Sequence, residues 1–117
     1  MKILTCMLCL CLFIVSGCTK SGSGSTGGPV DPCGNITKSF SANVNPIIQS
    51  VCATNSGCHG SGSMNGPGPL LTYNQIFSAR VSIRLAVSSG TMPLTGSLSQ
   101  AERNSIVCWI DSGAPNN

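Results

Sequence analysis

The most informative stretch of this sequence is Cys52-Ala53-Thr54-Asn55-Ser56-Gly57-Cys58-His59-Gly60. It contains two thiols and, directly after the second, the only histidine of the chain. Five residues separate the two cysteines, and four of them, residues 54–57, are residue types that tolerate turns. The stretch therefore predicts a loop that bulges outward between two anchored thiols.

Two thiols followed by a histidine are the groups that covalent attachment of haem requires. Each thiol would form a thioether with one porphyrin vinyl group, and the histidine would lie under the iron as an axial ligand. We therefore expect Cys52 and Cys58 to hold one haem c and His59 to ligate its iron. The usual motif has two residues between the cysteines, so the wider spacing leaves open whether both thioethers form or only the one at Cys58.

The identity of the second axial ligand follows from elimination. A second histidine is absent from the sequence, which leaves two lysines, Met64 and Met92 as ligands beyond the predicted leader. Met64 follows His59 so closely that it would have to double around the porphyrin edge, whereas Met92 is distant and precedes Pro93, which favours extended backbone. We expect Met92 to ligate the iron; the alternative is that it packs beside the haem or fills a gap in the core.

The remaining cysteines allow more than one arrangement. Beyond residue 18 the cysteines are Cys33, Cys52, Cys58 and Cys108, an even set. If two of them hold haem, Cys33 and Cys108 can form a disulfide. Without haem, Cys52 could pair with Cys58 and leave His59 incidental. A zinc site built from these thiols and His59 is less favoured in an oxidising compartment.

The N-terminal third has the pattern of an exported lipoprotein. Residues 1–17 combine Lys2 with an apolar run, as in a secretory signal peptide, and end in a motif that resembles a bacterial lipobox. Cys18 would then be acylated; the alternative is an ordinary signal peptide with Cys18 as a stray thiol. Residues 18–32 are a Gly/Ser-rich linker. We expect a lipid-anchored protein of the bacterial outer membrane that faces the periplasm.

Composition limits what can follow this linker. Only 8% of the residues are charged and 4% are aromatic, and the formal charge is +3 without a basic run, so the sequence does not indicate a nucleic-acid partner. Residues 33–117 are enough for one small domain, which at this size usually needs a disulfide, metal or cofactor to be stable.

Two helices are predicted on either side of the loop after His59. Asn45 and the following proline have the chemistry of a helix start, so the first helix would begin at Asn45 and lead into Cys52. Thr72 begins a capping box that starts the second helix. Residues 81–87 alternate apolar and polar side chains, which is compatible with helix or with an extended segment.

A third helix is predicted after Ser99, which forms a capping box with Glu102. Its apolar stripe includes Trp109, and Gly113 would close it. We expect the first and last helices to pack together with Trp109 near their contact.

Taken together, the cysteine and histidine stretch, Thr91-Met92-Pro93 and the closing run from Trp109 to Pro115 resemble the small class I cytochrome c domains of bacterial lipoproteins. The resemblance extends from about residue 33 to residue 117. It implies an all-α domain around one covalent haem, with His59 and Met92 as axial ligands, and electron transfer without substrate chemistry.

The expected function is therefore that of an electron carrier, not an enzyme, whose iron cycles between Fe(III) and Fe(II) and whose redox partner proteins are unknown. Arg80, Arg84 and Arg103 could meet haem propionates or an acidic partner, or they could be solvated surface charges. Two other classes stay open: a haem enzyme with an open sixth position, and a haem-free, disulfide-stapled lipoprotein that binds a ligand in an apolar pocket.

Overall fold

The structure is a computed structural model that describes residues 31–117. The predicted signal peptide, the acylation site Cys18 and all but the last two residues of the predicted linker lie outside the described residues. Within residues 31–117 the chain forms three helices and no strand, which confirms the all-α class. None of these helices is both long enough and apolar enough to cross a membrane.

Helix α1 is one continuous helical segment over residues 40–52, formed by Phe40–Val44, Asn45–Ile47 and Ile48–Cys52. The first and last of these parts use wide backbone turns, in which an N–H group bonds to the carbonyl five residues earlier, as Ala53 does to Ile48 at 2.8 Å. The helix ends at Cys52, so it delivers this thiol directly, as the sequence predicted.

The predicted start of α1 was wrong. The helix begins at Phe40, where the hydroxyl of Ser39 accepts a hydrogen bond from the N–H group of Ala42. Asn45 lies inside the helix, and its side-chain oxygen accepts a hydrogen bond from Gln49 at 3.1 Å. The earlier start is favoured because it buries Phe40 in the core.

Helix α2, Tyr73–Ser89, begins with the predicted capping box. The Thr72 hydroxyl accepts a hydrogen bond from the N–H group of Gln75, and the Gln75 side chain accepts one from the N–H group of Thr72. The helix continues through residues 81–87, so these residues are helical and not extended. Its buried residues recur at helical spacing and include Ile83 and Val87. Gly90 ends the helix with a left-handed backbone angle, φ 72°.

Helix α3, Gln100–Asp111, also begins with the predicted capping box, here between Ser99 and Glu102. Beyond its end, Gly113 has φ 97°, which is the left-handed conformation that glycine adopts without strain. The next residues fold back on the helix, and the Trp109 indole N–H donates a hydrogen bond to the carbonyl of Pro115 at 2.9 Å. This bond satisfies the polar group of a fully buried side chain.

The core lies where the three helices meet. The Phe40 ring of α1 is 5.4 Å from the Trp109 ring of α3 and 5.1 Å from the Tyr73 ring of α2. The predicted packing of the first and last helices near Trp109 is therefore confirmed. The largest fully buried side chains are those of Trp109, Ile48, Ile76, Ile106, Val44 and Cys108.

A disulfide joins Cys33, before α1, to Cys108 in α3, with 5.4 Å between the two Cα atoms. It is the pairing that the sequence allowed if the other two cysteines, Cys52 and Cys58, hold haem. Cys108 is 2% exposed, so the bond enters the core at its α3 end. It ties the start of the described chain to its last helix.

Candidate haem site

Two adjoining cavities lie beside the motif of residues 52–60. Their volumes are about 460 Å³ and about 290 Å³, and Cys52, His59, Gly66 and Met92 line both. Cys58 lines the larger cavity. The four residues predicted to hold a haem therefore surround one region of space, whose size is in the range of small-molecule and cofactor sites.

His59 is held by its side chain and its main chain. Its Nδ1 atom is 3.1 Å from the carbonyl oxygen of Gly68, which can only accept, so Nδ1 donates the proton. This hydrogen bond leaves Nε2 as the nitrogen with a free lone pair for a metal. The His59 carbonyl accepts a hydrogen bond from the N–H group of Leu70 at 2.8 Å. The ring is buried, with 9% of the residue exposed, and its orientation is fixed from both sides.

The wide spacing of the cysteines is closed by a backbone hydrogen bond. The N–H group of His59 donates to the carbonyl of Cys52 at 2.9 Å. The last residue of α1 and the histidine are therefore neighbours in space, although six residues lie between them in the sequence. The predicted bulge forms, and it does not carry His59 away from Cys52.

Cys52 and Cys58 are both free thiols with intermediate exposure. Burial, and to a smaller extent the proximity of Cys58, raises the pKa of the Cys52 thiol to about 11. Cys52 is thus held in its protonated form at neutral pH. The structure pairs Cys33 with Cys108 and not Cys52 with Cys58.

The two methionines that the sequence offered as ligands have different environments. Met92 is partly buried and lines both cavities. Met64 is 95% exposed and lines neither. Of the two thioethers, only that of Met92 borders the space next to His59.

The cavity walls carry no charged side chain. The three arginines considered as propionate partners line neither cavity, and each has a contact within the protein. Arg84 forms an ion pair with Asp111, with 2.5 Å between Nε and Oδ1. Arg80 lies 4.0 Å from the centroid of the Phe77 ring, and Arg103 donates a hydrogen bond to the carbonyl of Val87. An uncharged, largely apolar wall suits a porphyrin face.

The donors on these walls fit a covalently bound haem. Two thiols, an imidazole with a free Nε2 and a thioether are the attachment groups and the two axial ligands of a class I cytochrome c site. Within residues 31–117 no three His, Cys, Asp or Glu side chains are close enough together to hold a metal ion.

Sequence reasoning missed Gly68, and it noted Asn55 only as one of the turn-tolerant residues 54–57. Gly68 contributes only a carbonyl oxygen, so no residue type could have identified it. Asn55 accepts hydrogen bonds from the N–H groups of Gly57 and Cys58 through its side chain. Asparagine side chains often form a hydrogen bond with the backbone two residues later, and this tendency could have indicated the role.

A scan against protein-family models gave no match, and neither did searches of curated proteins and of solved structures. The functional assignment therefore depends on the chemistry and geometry of the site.

Proposed function

We propose that this protein is a monohaem c-type cytochrome that carries single electrons. The observation that carries the proposal is the convergence of Cys52, Cys58, His59 and Met92 on adjoining uncharged cavities. These residues come from three separate parts of the chain, and their side chains supply each of the four bonds that a class I site needs.

Each residue has a defined task in this proposal. Haem c, when bound, would supply a one-electron couple between Fe(III) and Fe(II). Cys52 and Cys58 hold it covalently, His59 offers Nε2 to one face of the iron, and Met92 offers its sulfur to the other. A neutral thioether favours the ferrous state and so raises the potential relative to a second histidine.

Occupation of both axial positions by the protein leaves no position for a substrate. The proposal is therefore an electron carrier, and its redox partner proteins are not identified by any residue of the site. We further propose, from the sequence of residues 1–32, that a lipid on Cys18 anchors the domain to the outer membrane on its periplasmic side.

The first experiment is a denaturing intact-mass spectrum combined with a pyridine haemochrome spectrum. The protein is expressed with its signal peptide in cells that mature c-type cytochromes. The mass of one retained haem and an α-band typical of two thioethers would support the proposal. A colourless chain that retains no haem would contradict it and would favour the haem-free binding module.

The ligand assignment predicts different effects for the two methionines. In Met92→Ala the iron would lose its thioether, so we expect the reduction potential to fall, the ferric protein to bind imidazole readily and the ferrous protein to bind carbon monoxide readily. Met64→Ala is the matched control, because Met64 is 95% exposed and lines neither cavity. Redox titration and ligand titration measure the two effects. Unchanged potential and ligand affinity in Met92→Ala would show that Met92 only packs beside the haem.

A further inference from the structure

The loop between the two cysteines is organised by one residue, Asn55. Its side-chain oxygen accepts hydrogen bonds from the N–H groups of Gly57 at 2.8 Å and Cys58 at 3.2 Å. Its main-chain carbonyl accepts from the N–H groups of Cys58 at 3.1 Å and Gly60 at 2.8 Å. The residues on both sides of His59 are therefore bonded to Asn55.

The chain approaches Asn55 so closely at residue 60 that only glycine fits. A Cβ atom on Gly60 would lie 2.7 Å from the main-chain carbon and 2.8 Å from the main-chain oxygen of Asn55. Both atoms belong to backbone, so neither can move aside without opening the loop. Asn55 and Gly60 thus form one tightly packed unit that fixes the shape of the loop.

This unit offsets the wide spacing of the two cysteines. Together with the hydrogen bond from the His59 N–H group to the Cys52 carbonyl, it brings Cys52, Cys58 and His59 to the wall of the same cavity. A motif with two intervening residues achieves this placement by its shortness, whereas five intervening residues need bonds across the loop.

We propose that Asn55 is a positioning residue for haem attachment, which holds the five-residue loop closed so that both thiols and His59 face the cavity before the cofactor binds. Attachment adds each S–H group across one vinyl double bond: sulfur bonds to one carbon, the hydrogen goes to the other, and no group leaves. Asn55 takes no part in that addition. The purpose of this positioning rests on the proposed cytochrome function, but the closure of the loop can be measured without haem.

The haem-independent test is amide hydrogen exchange at His59 and Gly60 in the full chain produced without haem. These two amides keep their own acceptors, the carbonyls of Cys52 and Asn55, in Asn55→Ala. Their exchange therefore reports opening of the loop, and loss of two side-chain hydrogen bonds is expected to speed it about tenfold. Asn55→Asp retains a side-chain acceptor and should restore slow exchange.

Thr54→Ala is the matched control, because Thr54 is exposed and its hydroxyl accepts only one long hydrogen bond, from Asn55 Nδ2 at 3.5 Å. The His59 and Gly60 amides of this variant should exchange at the wild-type rate. Equal exchange rates at His59 and Gly60 in the wild type and in Asn55→Ala would overturn the proposal, and so would rapid exchange of both amides in the wild type.

The second measurement counts thioethers in protein matured with haem, by the pyridine haemochrome α-band and by mass after thiol alkylation. We expect Asn55→Ala to contain a larger share of chains with one thioether, while Asn55→Asp and Thr54→Ala match the wild type. An unchanged thioether count in Asn55→Ala would overturn the role in attachment. If the wild type itself retains no haem, the cytochrome proposal fails, and the exchange measurement alone decides whether Asn55 closes the loop.

Discussion

Removal of the Cys33–Cys108 disulfide should cost this small domain a large part of its stability. The bond spans a sequence separation of 75 residues. The chain-entropy relation gives about 4.5 kcal/mol for a loop of this length, because the cross-link removes conformations from the unfolded state. Domains of ordinary size have a total free energy of unfolding of about 5–15 kcal/mol, so the loss is comparable with the whole stability of a marginal domain.

The assay is urea unfolding followed by far-UV circular dichroism, on the wild type and on a variant that combines Cys33→Ala with Cys108→Ala. The variant should unfold at lower urea concentration. Its m value should rise, since an unfolded chain without the cross-link exposes more surface. Reduced wild type is the control, because it loses the cross-link but keeps the sulfur atom of Cys108, which is 2% exposed.

This comparison separates the effect of losing the cross-link from the effect of removing the buried sulfur atom of Cys108. If reduced wild type and the variant lose similar free energy, the cross-link is the cause. If the variant loses more, the difference measures the cavity left at Cys108. A loss below about 1 kcal/mol in reduced wild type would refute the chain-entropy argument for this bond.

Two further predictions concern the contacts between helices. Tyr73→Phe removes the hydrogen bond from the Tyr73 hydroxyl to the carbonyl of Ala114, 2.9 Å long, and should cost about 1 kcal/mol in urea unfolding. The hydrogen bond and charge of Arg84 lower the pKa of the Asp111 carboxyl below its ordinary value of 3.8. This contribution to stability is present above pH 3.8 and is lost as the pH falls through the lowered pKa. The free energy of unfolding should therefore decrease less with acid in Asp111→Asn than in the wild type. The effect is small because both side chains are more than a third exposed.

The helix starts that depend on local chemistry were predicted from the sequence. Thr72 and Ser99 each form a hydrogen bond with a residue three positions later, so neighbours in the chain determine where α2 and α3 begin. The start of α1 was missed because it depends on distant contacts. Phe40 packs against Trp109, and its N–H group donates to the side chain of Asn117 at 2.8 Å. Neither partner can be recognised from the residues around Phe40.

The reactive side chains of the site were easier to predict than the hydrogen bonds that hold them in place. Cys52, Cys58, His59 and Met92 were predicted because their side chains have specific reactivity, and all four line adjoining cavities. The hydrogen bonds that hold them run largely through backbone groups, which every residue possesses. The alternation of residues 81–87 was ambiguous for a related reason, since only the burial of Ile83 and Val87 in the core distinguishes a helical stripe from a strand.

The two predicted axial ligands are held by different numbers of hydrogen bonds, and this difference bears on whether the proposed site could open to a ligand. His59 is fixed by a side-chain bond to Gly68 and by main-chain bonds at its N–H and carbonyl groups. Met92 has one main-chain bond, 3.3 Å long, to the carbonyl of Ala86, and Leu94 two residues later is 81% exposed. A segment with so few bonds opens more easily than the histidine loop. In the proposed cytochrome, we therefore expect an external ligand to displace Met92 and not His59. The ligand affinity of the wild type compared with that of Met92→Ala measures how far Met92 excludes such a ligand.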